Sequence, residues 1–165
     1  MVGSTVDDVS DSNNSPDRGF LPPRWFIRVA WKFHKGLYRW SGGRLGLRRP
    51  NDDRYGLGFL TTTGRRSGID RSVMIAYYED GDDFVTMAMN GWGAPEPAWW
   101  LNLQARPEAT LVIPGTTLDV VARAASGDER TRLWDRWRQI DKGLDGYAAR
   151  RPTETAVVIF TPSVR

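Results

Sequence analysis

Gly56-Leu57-Gly58-Phe59-Leu60-Thr61-Thr62-Thr63-Gly64-Arg65-Arg66-Ser67-Gly68 is the stretch from which the rest of this chain is read. Gly56 to Thr63 is apolar and β-branched, the composition of a buried strand. The strand runs into a turn bracketed by Gly64 and Gly68, residues that permit backbone angles closed to others. Arg65 and Arg66 carry planar guanidinium forks suited to phosphate or carboxylate. Ser67 and the turn amides add hydrogen-bond donors. Taken alone, the octapeptide Thr61–Gly68 reads either as an anion cradle or as a hairpin loop with two solvated arginines.

Outward from the turn, Arg71 to Glu79 reads as a second strand. Asp80-Gly81 is a hairpin signal, and Asp83 to Asn90 returns as a third strand, which makes a meander. The pairs Asp52-Asp53 and Asp82-Asp83 read as turn chemistry, because adjacent strand residues point to opposite faces and turn aspartates are common. After the loop Asn90-Gly91-Trp92-Gly93-Ala94-Pro95, Pro97 opens a short helix near 97–106 carrying Trp99, Trp100, Leu101, Asn102 and Leu103. Pro107 stops it. A hairpin over Pro114-Gly115 joins strands at 109–113 and 116–125. Ser126 with Glu129 is a capping-box pattern, and Leu133, Trp134, Trp137 and Ile140 give one apolar face to a longer helix near 127–141. Thr155 to Thr161 is a last β-branched strand.

Towards the N-terminus, residues 1–21 are rich in Ser, Asp, Asn and Gly, a composition that cannot repay the entropy of ordering and predicts a disordered acidic tail. Trp25, Phe26, Val29, Phe33, Leu37 and Trp40 recur at helical spacing, which predicts a helix over 24–40 that ends at Ser41-Gly42-Gly43. Its other positions include Arg24, Arg28, Lys32, Lys35 and Arg39 with no acidic residue, so it packs on the domain with a solvated face or lies on an anionic bilayer. Six mostly antiparallel strands with helices before and between them point to the α+β class, as a small barrel or sheet in a single domain of residues 22–165.

The 165 residues suffice for one real core. Eight Trp, five Tyr and six Phe form an aromatic surplus of the kind that lines pockets for flat ligands. Residues 1–21 hold four aspartates against one arginine, so residues 22–165 carry 22 basic against 16 acidic groups, or +6. That favours acidic ligands. Cysteine is absent, which excludes disulfides and thiolate metal sites. No signal peptide or apolar membrane span is read, so a cytoplasmic protein is expected. The lone histidine, His34, has no serine partner or second imidazole, so a Ser-His-Asp hydrolase and a histidine metal site are set aside. No Walker loop or dinucleotide glycine motif occurs, and the arginines match no nucleic-acid motif. An enzyme built from these residues needs a bound cofactor to carry the reactive atoms.

The residues that would hold such a cofactor are grouped. Arg65, Arg66, Ser67 and Arg71 suit an acidic tail. The amides of Asn90-Gly91 and the N-terminus of the Pro97 helix suit phosphate, although Glu96 at that helix start already complements the dipole. Trp99 and Trp100 offer flat apolar walls, or core packing for at least one of them.

Leu37-Tyr38-Arg39, Gly42-Gly43-Arg44, Leu60 through Gly68, Arg71, Asn90-Gly91 and Pro97-Ala98-Trp99-Trp100-Leu101-Asn102-Leu103 together resemble the deazaflavin (F420)-dependent nitroreductases of actinobacteria. The resemblance covers about residues 24–162. It implies a split β-barrel related to FMN-binding reductases, with coenzyme F420 as cofactor. Reduced F420 would give a hydride to a quinone, enone or nitroaromatic acceptor. The tail, with its phosphate and glutamates, would lie on Gly64, Arg65, Arg66, Ser67 and Arg71. The ring would lie beside Met87, Ala88, Met89, Asn90 and Gly91, with Met74, Trp99, Trp100 and Asn102 completing the site. Tyr147 would face the substrate, and Tyr147 or Trp92 would roof the pocket. Met74, Trp92, Glu96 and Trp100 stand where the family usually carries other residues, and Asp141 and Leu144 replace tyrosines that its nitroreductive member places over the substrate. Two further readings stay open: an FMN-binding split-barrel reductase and a non-catalytic F420 or ligand carrier. Some members meet membranes through the N-terminal helix, which here makes peripheral contact through residues 24–40 an expectation. The oligomeric state is not legible.

Overall fold

The structure is a computed structural model that describes residues 46–90 and 95–163. The acidic tail, the 24–40 helix, His34, Gly91 and Trp92 lie outside the described residues. The described chain forms β1 (Gly56–Thr63), β2 (Asp70–Asp80), β3 (Asp83–Met87), α1 (Ala98–Ala105), β4 (Glu108–Ile113), β5 (Thr116–Ala124), α2 (Gly127–Ile140), α3 (Leu144–Ala148) and β6 (Val157–Pro162). The six strands close into a barrel in the order β1-β2-β3-β6-β5-β4, every neighbouring pair antiparallel. The expected α+β split-barrel class and the three-strand meander are therefore seen.

Strand alternation sorts the side chains onto two faces. Leu60, Ile75, Tyr77, Phe84, Leu111, Ile113, Val120, Ala122, Val158 and Phe160 fill the interior, and Trp99, Trp100 and Leu103 of α1 pack onto the same cluster. The alternate residues Tyr78, Val85, Met87, Val157 and Ile159 meet Leu133 and Trp137 of α2 and Leu144 of α3 in a second cluster outside the barrel. Gly56 and Gly58 belong to the inward set, and the barrel needs them small. A Cβ on Gly56 would sit 2.7 Å from the Tyr77 ring, and one on Gly58 3.0 Å from the Val112 carbonyl.

Two expectations are corrected. Ser126 is the N-cap residue of α2 but makes no side-chain capping bond. Glu129, the other half of the expected capping box, instead receives both Arg123 guanidinium nitrogens at 2.6 and 2.7 Å. A charged fork on the adjacent strand outcompetes a backbone amide for the carboxylate. The third strand stops at Met87 rather than Asn90. The Met89 amide turns back to the Met87 carbonyl at 2.8 Å, which ends the ladder.

Candidate cofactor site at one end of the barrel

Antiparallel order brings the C-termini of β1, β3 and β5 and the N-termini of β2, β4 and β6 to one end of the barrel. The arginine turn between β1 and β2 and the 87–90 segment therefore lie at the same end, where α1, which joins β3 to β4, packs its tryptophans.

The turn is held from inside and from α1. The Gly64 amide donates to the Ile69 carbonyl at 3.0 Å and the Gly68 amide to the Gly64 carbonyl at 2.7 Å. Gly68 has φ +66°, and a Cβ on Gly64 would meet Ser67 Oγ at 2.7 Å and the Ile69 carbonyl at 3.0 Å. Ser67 Oγ accepts from the Ile69 amide at 3.3 Å. Asn102, 4% exposed, reaches the turn from α1. Its Oδ1 accepts the Arg65 backbone N–H at 3.1 Å and lies 3.5 Å from Arg65 Nη1, while its Nδ2 donates to Thr62 Oγ1 at 3.1 Å. The two sequence motifs that stand 37 residues apart are thus one hydrogen-bonded unit. Asn102 supports the turn through the backbone.

Arg65, Arg66, Ser67 and Arg71 are exposed. Among the described residues no carboxylate pairs with Arg65, Arg66 or Arg71, although seven other ion pairs are formed. Thr63 Oγ1 holds the neighbouring Asp70 at 2.8 Å. Three guanidinium groups without a carboxylate partner, beside a turn a Cβ would distort, fit an acidic tail such as that of F420.

At the same barrel end, where β3 adjoins β2, Ala88 is fully buried, Met87 is buried, Met89 is half-buried and Asn90 is exposed. The side chain of Met87 belongs to the outer cluster with Met89 packed against it, and Ala88 belongs to the inner one. Trp99 and Trp100 are 8% and 7% exposed, with their rings edge-to-face at 6.3 Å. Both pack on the barrel core. Met74 is half-buried opposite Phe59, on the face of β2 that alternation sets away from Arg71. Tyr147 lies on α3 over Gly143, whose absent side chain leaves room for the ring: a Cβ there would lie 2.6 Å from it.

Two features were missed from sequence. Arg151 is buried with its side chain at 0% exposure, and its Nη2 pairs with Glu96 at 2.8 Å. Its Nη1 donates to the Ala88 carbonyl at 2.5 Å. Glu96 therefore has a cation of its own, supplied from the far end of the chain. Helix α3 was also missed, because five residues that include Gly146 carry no periodic signal.

An antiparallel six-strand barrel, capped at one end by a helix and with an arginine turn beside the cap, places the chain in the split-barrel class of folds. Residues 30–162 match the model of the F420H(2)-dependent quinone reductase family, and the chain belongs to that family. Its cofactor is coenzyme F420. An F420H(2)-dependent quinone reductase of Mycobacterium tuberculosis (strain ATCC 25618 / H37Rv) is 27% identical over 145 residues, covering 84% of this chain and 96% of the relative. A second protein of that strain, named as a putative F420H(2)-dependent quinone reductase, is 32% identical over 101 residues, 61% of this chain and 83% of the relative. The solved structure of an F420-H2 dependent reductase, FDR-A, shares the fold with a TM-score of 0.58 at 24% identity, over 70% of this chain and 99% of that one. A haem-binding protein of Mycobacterium smegmatis also shares it, with a TM-score of 0.53 at 16% identity, over 70% of this chain and 52% of that one. The barrel alone does not select the cofactor.

Proposed function

We propose that this chain reduces a small quinone-type acceptor at the expense of reduced F420, with the acidic tail of the cofactor on Arg65, Arg66, Ser67 and Arg71. The observation that carries the reading is the arginine turn: its backbone is fixed by Asn102, and its guanidinium groups have no carboxylate partner among the described residues. When bound, F420 supplies the hydride. The protein supplies position and electrostatics. The turn grips the anionic end, the segment Met87 to Asn90 borders the ring, and the barrel end limits where an acceptor can sit. Orientation of two reactants in this way is worth a large part of a bimolecular barrier. Tyr147 is proposed to give a proton to the reduced oxygen of the acceptor.

We further propose a cytoplasmic protein in which the basic residues within 24–40 meet an anionic leaflet. Among the described residues no helix is long and apolar enough to cross a membrane. Co-sedimentation with anionic liposomes, compared between the whole chain and one lacking residues 22–40, tests the contact. Equal sedimentation counts against it.

The function itself is tested by mixing the protein with reduced F420 and menadione and following cofactor reoxidation by absorbance. Protein-dependent reoxidation is expected. Cofactor binding without turnover of any quinone, enone or nitroaromatic would make the protein a carrier.

A further inference from the structure

The buried guanidinium of Arg151 has a role that no motif announces. It stands in the stretch that enters β6, yet it touches two other segments. Nη1 donates to the Ala88 carbonyl, at the end of β3, and Nη2 to Glu96 Oε1, one residue before Pro97. Thr153 Oγ1 donates to the same Glu96 oxygen at 3.1 Å, and the Ala88 amide donates to the Ala156 carbonyl at 2.9 Å. Beyond Pro97 the contacts continue. The Pro97 carbonyl accepts the Trp100 and Leu101 amides at 3.0 and 3.1 Å, and one residue further on Asn102 holds Arg65.

A charge this deep is costly unless it is paired, and a hydrophobic pair of the same volume would serve stability as well or better. Among the described residues Arg151 Nε and Glu96 Oε2 have no hydrogen-bond partner, so there the pair is also imperfectly satisfied. An apolar pair, however, could not bond the Ala88 carbonyl. Stability alone does not explain this guanidinium.

We infer that Arg151 is a positioning residue. By tying the Ala88 carbonyl to Glu96 it fixes the 87–90 segment against α1, and through α1 and Asn102 against the arginine turn, so that the ring side and the tail side of the cofactor site keep one spacing. The inference rests on the F420 reading above.

The test compares Arg151→Met with the double variant Glu96→Leu/Arg151→Met. The single variant leaves the half-buried Glu96 carboxylate without its cation and held only by Thr153, so its melting temperature falls. The double variant removes both charges, and its melting temperature returns towards wild type. F420 affinity, read by fluorescence titration, is expected to fall about tenfold in the single variant and to stay down in the double one, because a charged hydrogen bond to Ala88 is lost in both. In the cofactor-free protein the Ala88 and Trp100 amide protons are expected to exchange faster in the double variant, while those inside β1 do not change. Affinity that recovers together with melting temperature, or Ala88 and Trp100 exchange at the wild-type rate, overturns the inference. If the double variant does not fold, Arg151→Lys carries the same readouts, since it keeps the charge and lacks the fork. Failure of wild-type protein to bind F420 would strike the functional reading, and amide exchange would still decide the tether.

Discussion

Asn102 Oδ1 accepts the backbone N–H of Arg65 at 3.1 Å, so a side chain on α1 sets the position of the turn that carries the exposed guanidinium groups. The same amide donates to Thr62 inside the barrel mouth. Asn102→Ala removes both bonds and leaves buried polar groups unpaired, at a cost of about 1–3 kcal/mol in stability. F420 affinity is expected to fall with it. Thr62→Val removes only the second bond and is expected to lower stability while leaving affinity near wild type. Urea unfolding and F420 titration of both variants separate the two roles.

The two glycines of the turn do different work. Gly68 has φ +66° and open space around a built Cβ, so Gly68→Ala meets only backbone strain of about 1–2 kcal/mol. Gly64→Ala drives a methyl group into Ser67 Oγ and the Ile69 carbonyl. The expectation is a greater loss of F420 affinity in Gly64→Ala than in Gly68→Ala, with both variants folded by circular dichroism.

Alkaline pH tests the barrel itself. Burial pushes the Tyr77 hydroxyl up to about 12, and burial likewise raises Tyr78, whose OH donates to the Leu133 carbonyl at 2.9 Å. Both folded values lie above the unfolded one, so the stabilisation is complete below about pH 10 and is lost as pH rises from there through about 12. Stability measured by denaturant should fall over that window. In Tyr78→Phe the fall should be shallower, at the cost of the Leu133 bond. An equal slope in both proteins would contradict the assignment.

Much of the fold was legible because the barrel obeys local rules. Gly56–Thr63 is apolar and β-branched, Asp80-Gly81 and Pro114-Gly115 mark tight hairpins with φ +64° and +81° at their glycines, and the apolar stripe of α2 has helical spacing. The candidate site was legible only in pieces. Arg65 and Asn102 were both singled out, but nothing in a linear pattern shows that one holds the other across 37 residues. Arg151 follows Arg150, and sequence cannot tell which of two adjacent arginines is buried. Glu96 was read against the helix dipole because its partner comes from a segment 55 residues away. Pairings of this kind depend on barrel closure, which no local signal encodes.

The most direct measurement is a fluorescence titration of wild-type protein, Arg65→Ala and Arg66→Ala with F420, run beside FMN. Wild type is predicted to bind F420 in preference to FMN. Each alanine variant is predicted to lose about 1.5–3 kcal/mol of F420 binding for each charged hydrogen bond removed, tenfold or more in Kd. Tight FMN binding with no response to F420, or F420 affinity unchanged in both variants, would contradict the claim that this turn holds the cofactor.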